Sequence, residues 1–284
     1  MSGLTGLNLG STHCGNAEFR WGQQTYVMGI LNVTPDSFSG DGLAYNVETA
    51  VAVAHRLVTD GADIIDIGGE STRPGSSPIS AGEELRRIMP VVGRLAAELP
   101  VPISVDTYKA EVAREAIRAG ANMINDIWGL KSDPGLASVV AEANLPIVLM
   151  HNQVGTDYND LVSDVIGSLQ ASIDTAVNAG VKWTNIIIDP GIGFGKTWEH
   201  NLEILHRLSE FKSLGRPILI GTSRKSTIGR VLDLPVDQRL EGTAATVAIS
   251  IANGADVVRV HDVREMVRVC RMSDAIIRQQ WGTP

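Results

Sequence analysis

Cysteine is scarce in this sequence, and long apolar runs are missing. Cys14 and Cys270 are the only two cysteines among 284 residues, and neither belongs to a CxxC or Cys/His spacing. A disulfide framework and a cysteine-ligated metal site are therefore excluded. No segment offers the roughly 18 apolar residues of a membrane-spanning helix, and residues 1–24 lack the basic and apolar regions of a secretory signal. We expect a cytoplasmic protein with two free thiols.

Basic residues are too few and too scattered for broad electrostatic binding. Lys and Arg number 24 against 32 Asp and Glu, which gives a formal net charge of −8. This balance argues against nucleic acid and anionic membranes as partners, so an anionic ligand would need a local basic site. Apolar residues make up 44% and charged residues 20% of the chain, a composition typical of a globular protein that can bury a sizeable core.

From residue 25, short β-branched runs alternate with longer amphipathic stretches, the pattern of strands and crossover helices in a parallel sheet. The runs predict eight strands, at 25–33, 63–68, 101–107, 121–127, 145–151, 186–190, 217–222 and 255–261. Each is followed by a predicted helix, at 47–60, 83–98, 109–119, 134–143, 160–179, 198–210, 238–253 and 263–279. Segments such as DGADII and ANGADVV predict helices that end at a glycine or asparagine of positive φ.

Length alone allows one or two domains. No linker divides the chain, and eight βα units favour a closed (β/α)8 TIM barrel over an open doubly wound sheet. The expected organisation is a single domain, in which a short and loosely ordered N-terminal arm over 1–24 precedes a barrel over 25–284.

Polar residues follow or end every predicted strand. They are Asn32, Asp66, Asp106, Asn125 with Asp126, His151, Asp189, the segment 223–225, and Arg259 with His261. In a barrel the C-terminal ends of the strands form one mouth, so this ring predicts a ligand site. Any single member could instead cap a helix or bind loop backbone. Several carboxylates together need partners, which implies a ligand with hydrogen-bond donors.

Two glycine-rich or basic segments bear on anion binding. DPGIGFGKT has Pro190 where a phosphate loop needs glycine, so tight turns beside a ligand are the better interpretation. GTSRKSTIG holds Arg224 and Lys225 in the loop after strand seven, where barrels often bind anions, although a solvated basic loop is the alternative. Arg259 and His261 alternate on the last strand and could bind a phosphate together, or Arg259 could pair with a carboxylate of the mouth.

Eight segments in order resemble those of the dihydropteroate synthase family. They are MGILNVTPDSFS (28–39), DIGGESTRPG (66–75), SVDTYK (104–109), INDIWG (124–129), MH (150–151), DPGIGFGK (189–196), GTSRKS (221–226) and RVHDV (259–263). The resemblance covers nearly the whole chain. It implies an enzyme that joins a pterin pyrophosphate ester to p-aminobenzoate, with Mg²⁺ as cofactor, through a path resembling dissociation to a pterin cation. It also implies a homodimer.

The resemblance further implies a role for individual residues. Asp106, Asn125, Asp189 and Lys225 would hold the pterin, with Met150, Phe194 and Gly221 shaping its pocket. Asn32 would coordinate Mg²⁺, Arg259 with His261 would bind the departing pyrophosphate, and Asp66 would lie beside this group. Thr72 and Arg73 would belong to a lid loop, and Ser226 would meet the p-aminobenzoate carboxylate. Asp66, Asp106, Lys225, Arg259 and His261 are the residues expected to support the chemistry.

The sequence departs from the family pattern at two places. Asn152 follows the MH pair where a methionine is common, and Tyr108 stands where a smaller residue is common. Neither position carries an assigned role. Two other functions remain open from the sequence: a methyltetrahydrofolate-dependent methyltransferase with a corrinoid acceptor, which uses a similar pterin-binding barrel, and a catalytically silent pterin-binding barrel.

Overall fold

A computed structural model describes residues 9–34, 47–71 and 77–279. Its strands form a two-stranded antiparallel hairpin and an eight-stranded parallel sheet. The strands are β1 (Ser11–Cys14), β2 (Ala17–Arg20), β3 (Tyr26–Asn32), β4 (Ile64–Gly68), β5 (Ile103–Asp106), β6 (Met123–Asp126), β7 (Ile147–Met150), β8 (Ile186–Asp189), β9 (Leu219–Ile220) and β10 (Val257–Val260). All eight predicted strands are confirmed, and their ends differ from the prediction by no more than two residues.

The parallel sheet closes into a barrel. Its strand order is β8-β7-β6-β5-β4-β3-β10-β9, and neighbouring strands in this order are paired in parallel. A single further parallel bridge joins Ile188 of β8 to Ile218 just before β9, and the Ile188 amide donates to the Pro217 carbonyl at 3.0 Å. The predicted (β/α)8 barrel is therefore confirmed.

Helices follow the barrel strands in sequence. They are α1 (Val47–Thr59), α2 (Ala81–Glu98), α3 (Ala110–Arg118), α4 (Gly135–Ala143), α5 (Leu161–Asn178), α6 (Trp198–His206), α7 (Ser226–Leu232), α8 (Leu240–Ala252) and α9 (Val263–Ile277). The short helix α7 was not predicted, and the predicted helix 198–210 ends at His206 before a 3-10 segment. Gly61, Gly120, Gly180 and Gly254 close helices with φ between 98° and 109°, as predicted.

Alternate residues of each barrel strand point into the barrel, because the side-chain period of a strand is two. Outward residues such as Ile65 and Val105 pack against the helices in the main hydrophobic core. Inward residues near the strand starts, among them Met28 and Ile187, form a second core. The inward residues at the strand ends are polar, which places the candidate site at the C-terminal mouth.

The segment 9–24 is a hairpin that packs against the barrel rather than the loosely ordered arm that we expected. Cys14, Phe19 and Trp21 join the inner core with Tyr26 and Met28, and the Phe19 and Tyr26 ring centroids lie 4.7 Å apart. The hairpin thus covers the end of the barrel opposite the candidate site. The proposed boundary between arm and barrel stays a prediction.

Within the described ranges, no helix is both long and apolar enough to cross a bilayer. The cytoplasmic location stays a prediction from the sequence.

Candidate functional site

Four predicted site residues form one hydrogen-bonded group at the mouth of the barrel. Arg259 Nε donates to Asp66 Oδ2 at 2.6 Å, and Arg259 Nη2 donates to Asp106 Oδ2 at 2.8 Å. Asn125 Nδ2 donates to the same Asp66 oxygen at 3.1 Å. Asp66 therefore holds both the Asn125 amide, which is predicted to bind the pterin, and the Arg259 guanidinium, which is predicted to bind the pyrophosphate.

Because this group is buried, its charges have lost most of their hydration and must compensate one another. Asp66 is 0% exposed, and its Oδ1 has no hydrogen-bond partner among the described residues. Burial raises the pKa of Asp106, and Arg259 opposes that rise while the charge on Asp66 adds to it. One guanidinium thus compensates two carboxylates, as a buried ion pair requires. The pairing of Arg259 with mouth carboxylates, one of the two sequence interpretations, is what the structure contains.

Asp189 and Lys225 form the other charged half of the mouth. Asp189 ends β8 and accepts a hydrogen bond from the Gly191 amide at 2.7 Å. Lys225 precedes α7, donates from Nζ to the Ile192 carbonyl, and holds Nζ 4.6 Å from the Phe194 ring centroid. Burial lowers the pKa of Lys225 to about 8, while the attraction of Asp189 opposes that fall. Burial likewise raises the pKa of Asp189.

The loop after β8 makes tight turns, as its glycines predicted. Gly191 has a φ of 76°, and a Cβ there would lie 1.9 Å from the His151 carbonyl oxygen. Glycine is required at this position both by the left-handed backbone and by the close approach. The loop therefore packs closely against the end of β7 and presents Phe194 to Lys225.

Asn32 lies at the end of β3, beside the Arg259 group. A Cβ at Gly68 would lie 3.7 Å from both Asn32 Oδ1 and Asp106 Cβ, so the absence of a side chain at Gly68 leaves this space open. No group of three or more His, Cys, Asp or Glu side chains in the described ranges could hold a metal ion. A lone amide oxygen suits Mg²⁺, because that ion commonly takes substrate phosphates and water as its other ligands.

The predicted anion-binding segments lie side by side. His261 Nδ1 is 3.1 Å from Ser223 Oγ, and the His261 amide donates to the same oxygen at 3.2 Å. Arg224 Nε donates to Asp262 Oδ2 at 3.0 Å, so its charge is already neutralised locally. Ser226 is the exposed first residue of α7.

The remaining predicted residues fall into three groups. Met150 is buried at the end of β7, and Gly221 directly follows β9. Asp126 does not join the ring of mouth residues, because it is adjacent to the inward Asn125 and accepts hydrogen bonds from the Trp128 and Leu130 amides at 2.8 and 2.6 Å. For Asp126 the backbone-binding alternative is correct. Thr72 and Arg73 lie outside the described residues.

The two departures from the family pattern make local contacts. The Tyr108 hydroxyl donates to Glu70 Oε1 at 3.0 Å, and the Asn152 carbonyl accepts a hydrogen bond from Lys131. Neither contact involves a predicted site residue.

Lys196 is a charged residue of this region to which we assigned no role from the sequence. Its Nζ is 2.7 Å from His151 Nδ1 and donates to the Phe194 carbonyl at 3.1 Å. The lysine stands inside the DPGIGFGK segment, and His151 ends a strand. These two facts were the available signal, but they do not reveal that the side chains meet across 45 residues of sequence.

Comparison with known proteins gives a consistent result. The model of the pterin binding enzyme family matches residues 28–261. The dihydropteroate synthase of Bacillus subtilis is 54% identical over 267 residues, which are 94% of each chain. A dihydropteroate synthase structure from Clostridium difficile, determined in the presence of pteroic acid, matches with a TM-score of 0.90 and 53% identity over 92% of this chain and 99% of that one. One from Xanthomonas albilineans with 4-aminobenzoic acid also gives 0.90, with 42% identity over 96% and 99%.

Proposed function

The chain belongs to the dihydropteroate synthase family of pterin-binding enzymes, and from that membership we propose how the mouth of its barrel works. The reaction joins 6-hydroxymethyl-7,8-dihydropterin pyrophosphate to p-aminobenzoate, which gives 7,8-dihydropteroate and pyrophosphate. The observation that carries the proposal is the convergence of Asp106, Asn125, Asp189, Lys225 and Arg259 on one mouth.

Pterin recognition follows from the donor and acceptor pattern of the site. The aminopyrimidinone edge of a pterin offers N–H donors and a carbonyl acceptor, which suit the Asp189 carboxylate, the Asn125 amide and the Lys225 ammonium. Phe194 and the buried Met150 give the heterocycle an apolar wall. Asn125 is held in place by Asp66, so its orientation is fixed before the ligand arrives.

The chemical step separates charge. The bond between the pterin methylene carbon and the pyrophosphate oxygen breaks, and its electron pair leaves with the pyrophosphate. The amine nitrogen of p-aminobenzoate then bonds to the cationic carbon and releases a proton. Such a step gains most from fixed charges and from positioning, because no protein nucleophile takes part.

The leaving group is assigned to the Arg259 side of the mouth. Arg259 would bind pyrophosphate oxygens as it exchanges part of its pairing with Asp66 and Asp106, and His261 lies two residues further along β10 and its extension. Asn32 would hold Mg²⁺, whose charge would offset that of the pyrophosphate. Ser226, exposed at the start of α7, would meet the p-aminobenzoate carboxylate.

Product formation is the direct test of this proposal. We expect dihydropteroate from the pterin pyrophosphate and p-aminobenzoate in the presence of Mg²⁺, with strong loss after chelation by EDTA and recovery when Mg²⁺ is returned. Chromatography of the product measures both. Full turnover in EDTA would contradict the role given to Mg²⁺, and a folded protein that binds pterin without turnover would favour a silent barrel.

The methyltransferase alternative gains nothing from the comparisons. The Bacillus subtilis relative, which the match covers over 94% of its length, is named a dihydropteroate synthase. The two matching structures carry the same name.

A homodimer is the proposed assembly, formed through the outer faces of α8 and α9. Three large apolar side chains are strongly exposed there: Ile249 at 52%, Met272 at 63% and Ile276 at 61%. Met272 and Ile276 are four residues apart on α9 and so share one face. Apolar side chains grouped in this way are a feature of interaction surfaces.

Changing this face should separate the subunits. We expect Ile276→Glu to shift the protein towards monomer in sedimentation velocity runs, because the carboxylate would lose its hydration at the interface. Val154→Glu, at a position that is 91% exposed after β7, is the matched control and should leave the mass unchanged. An Ile276→Glu protein with the wild-type mass would refute the assigned surface.

A further inference from the structure

The position of Lys225 depends on the loop between β8 and α6. Lys225 Nζ donates to the Ile192 carbonyl and lies 4.6 Å from the Phe194 ring centroid. Both partners belong to residues 190–197 of this loop. A displacement of the loop would therefore move the aromatic wall of the pterin site and release the ammonium group.

Lys196 connects this loop to the end of β7, in addition to the hydrogen bond from the Tyr158 hydroxyl to the Gly195 carbonyl. Lys196 Nζ lies 2.7 Å from Nδ1 of His151 and donates to the Phe194 carbonyl at 3.1 Å. His151 is buried, and its own amide donates to the Asp189 carbonyl at 2.9 Å. Lys196 thus links the Phe194 backbone to the end of β7, which is itself bonded to the end of β8.

The imidazole is the acceptor in this pair. Burial lowers the pKa of His151, and the charges of Lys196 and Lys131 add to the fall, so that the pKa is about 3. The ring is therefore neutral at physiological pH. A neutral imidazole with an unprotonated Nδ1 accepts a hydrogen bond from the Lys196 ammonium.

The ammonium group also acts on the mouth through its charge. Burial lowers the pKa of Lys196 to about 7, the attraction of Asp189 opposes that fall, and repulsion from Lys225 and Lys131 adds to it. In return, Lys196 lowers the pKa of Asp189, as do Lys225 and Arg259.

We propose that Lys196 is a positioning residue for pterin recognition: through His151 and the Phe194 carbonyl it fixes the loop that places Phe194 at Lys225, and its charge supports the Asp189 carboxylate. Lys196 contacts neither Asp189 nor Lys225 by a hydrogen bond in the described chain. Its effect is indirect, and this inference rests on the proposed pterin-binding function of the mouth.

The test is the affinity for 6-hydroxymethyl-7,8-dihydropterin, measured by calorimetry on the full chain. We expect Lys196→Met to weaken binding about ten-fold, the size of one charged hydrogen bond, and to leave the KM for p-aminobenzoate within about two-fold. Lys131→Met is the control, because it removes a neighbouring, more exposed cation that bonds to the Asn152 carbonyl instead. It should bind pterin as the wild type does.

The pH profile provides a second measurement that does not depend on how Lys196→Met folds. The lowered pKa of Lys196 means that its charge is present below about 7 and lost above it. Wild-type pterin affinity should therefore begin to fall near pH 7, whereas Lys196→Arg, which stays charged, should lose this step and keep only the later fall that Lys225 produces near pH 8. Titration of the ligand affects both proteins equally.

The outcomes separate this inference from the function on which it rests. Wild-type affinity in Lys196→Met, or the same pH step in Lys196→Arg, would overturn the role of Lys196 while the proposed function stands. A wild-type protein that binds no pterin would overturn the proposed function itself.

Discussion

The Arg259→Met variant is expected to lose about 3–5 kcal/mol of unfolding free energy at neutral pH, the cost of removing one partner of a buried ion pair. The change leaves the fully buried Asp66 and the buried Asp106 without their shared counter-charge. Product formation should fall as well, because the predicted pyrophosphate contact is lost. Urea unfolding measures the first effect, and the product assay measures the second.

The variant should also respond to pH in a defined direction. Burial raises the pKa of Asp106, and Arg259 restrains that rise. Without Arg259 the pKa rises further, so the folded variant retains a proton that the unfolded chain releases. Stability from this group is present at low pH and is lost as pH rises. We expect the deficit relative to wild type to be smaller at pH 5 than at pH 8.

Arg278→Met is the matched control for this experiment. Arg278 also pairs with two carboxylates, through Nε to Asp274 at 2.7 Å and Nη2 to Asp256 at 3.8 Å. Its side chain is 13% exposed, close to the 19% of Arg259. It lies beside Thr25, at the start of β3 and away from the mouth. The control should lose stability and keep product formation, so equal product formation by both variants would contradict the role of Arg259.

Replacing Lys225 with alanine is expected to weaken pterin binding by about 1.5–3 kcal/mol, the range of a hydrogen bond to a charged group. The ammonium is held by the Ile192 carbonyl beside Phe194, and its removal also leaves Asp189 with fewer compensating charges. Turnover should fall at least as far as affinity. Calorimetry with the dihydropterin gives the affinity, and unchanged binding would defeat the assignment.

Lys225→Arg separates the effect of charge from that of shape. Because burial lowers the pKa of Lys225 to about 8, the wild-type ammonium is lost as pH rises through that value, and pterin affinity should fall with it. Arginine keeps its charge throughout the range. A fall of equal size in Lys225→Arg would show that this residue is not the group that titrates there, and that the fall comes from Lys196 or from the ligand.

The barrel was predictable because the apolar patterns of its strands and of its helices are each set by residues close together in the sequence. Each strand is a short β-branched run, and each helix is closed by a turn residue such as Gly61 or Gly120, whose positive φ the structure confirms. The hairpin was not predictable in this way. Five of the eight residues in its two strands are polar, and it is the packing of Phe19 and Trp21 against the barrel interior that orders them.

The site shows the same division between local and long-range information. The strand ends predicted Asp66, Asp106, Asn125 and Asp189 correctly, whereas Asp126 was wrongly included, because neighbouring residues of a strand point to opposite faces. The pairing of Arg259 with two carboxylates depends on the barrel closing across 193 and 153 residues of sequence. The contact between Lys196 and His151 likewise exists only once two loops are adjacent.

The junction that closes the barrel, between β8 and β9, links ligand binding to the stability of the fold. Strands β8 and β9 meet through a single bridge, at Ile188 and Ile218, whereas every other neighbouring pair of barrel strands has at least two paired residues in the described chain. Asp189 ends one of these strands, and Lys225 follows the other. A pterin bound between them, as we propose, would connect β8 and β9 across the junction of the barrel that has the fewest paired residues. Substrate bound there would stabilise the whole fold, because it binds the closed barrel and not the opened one.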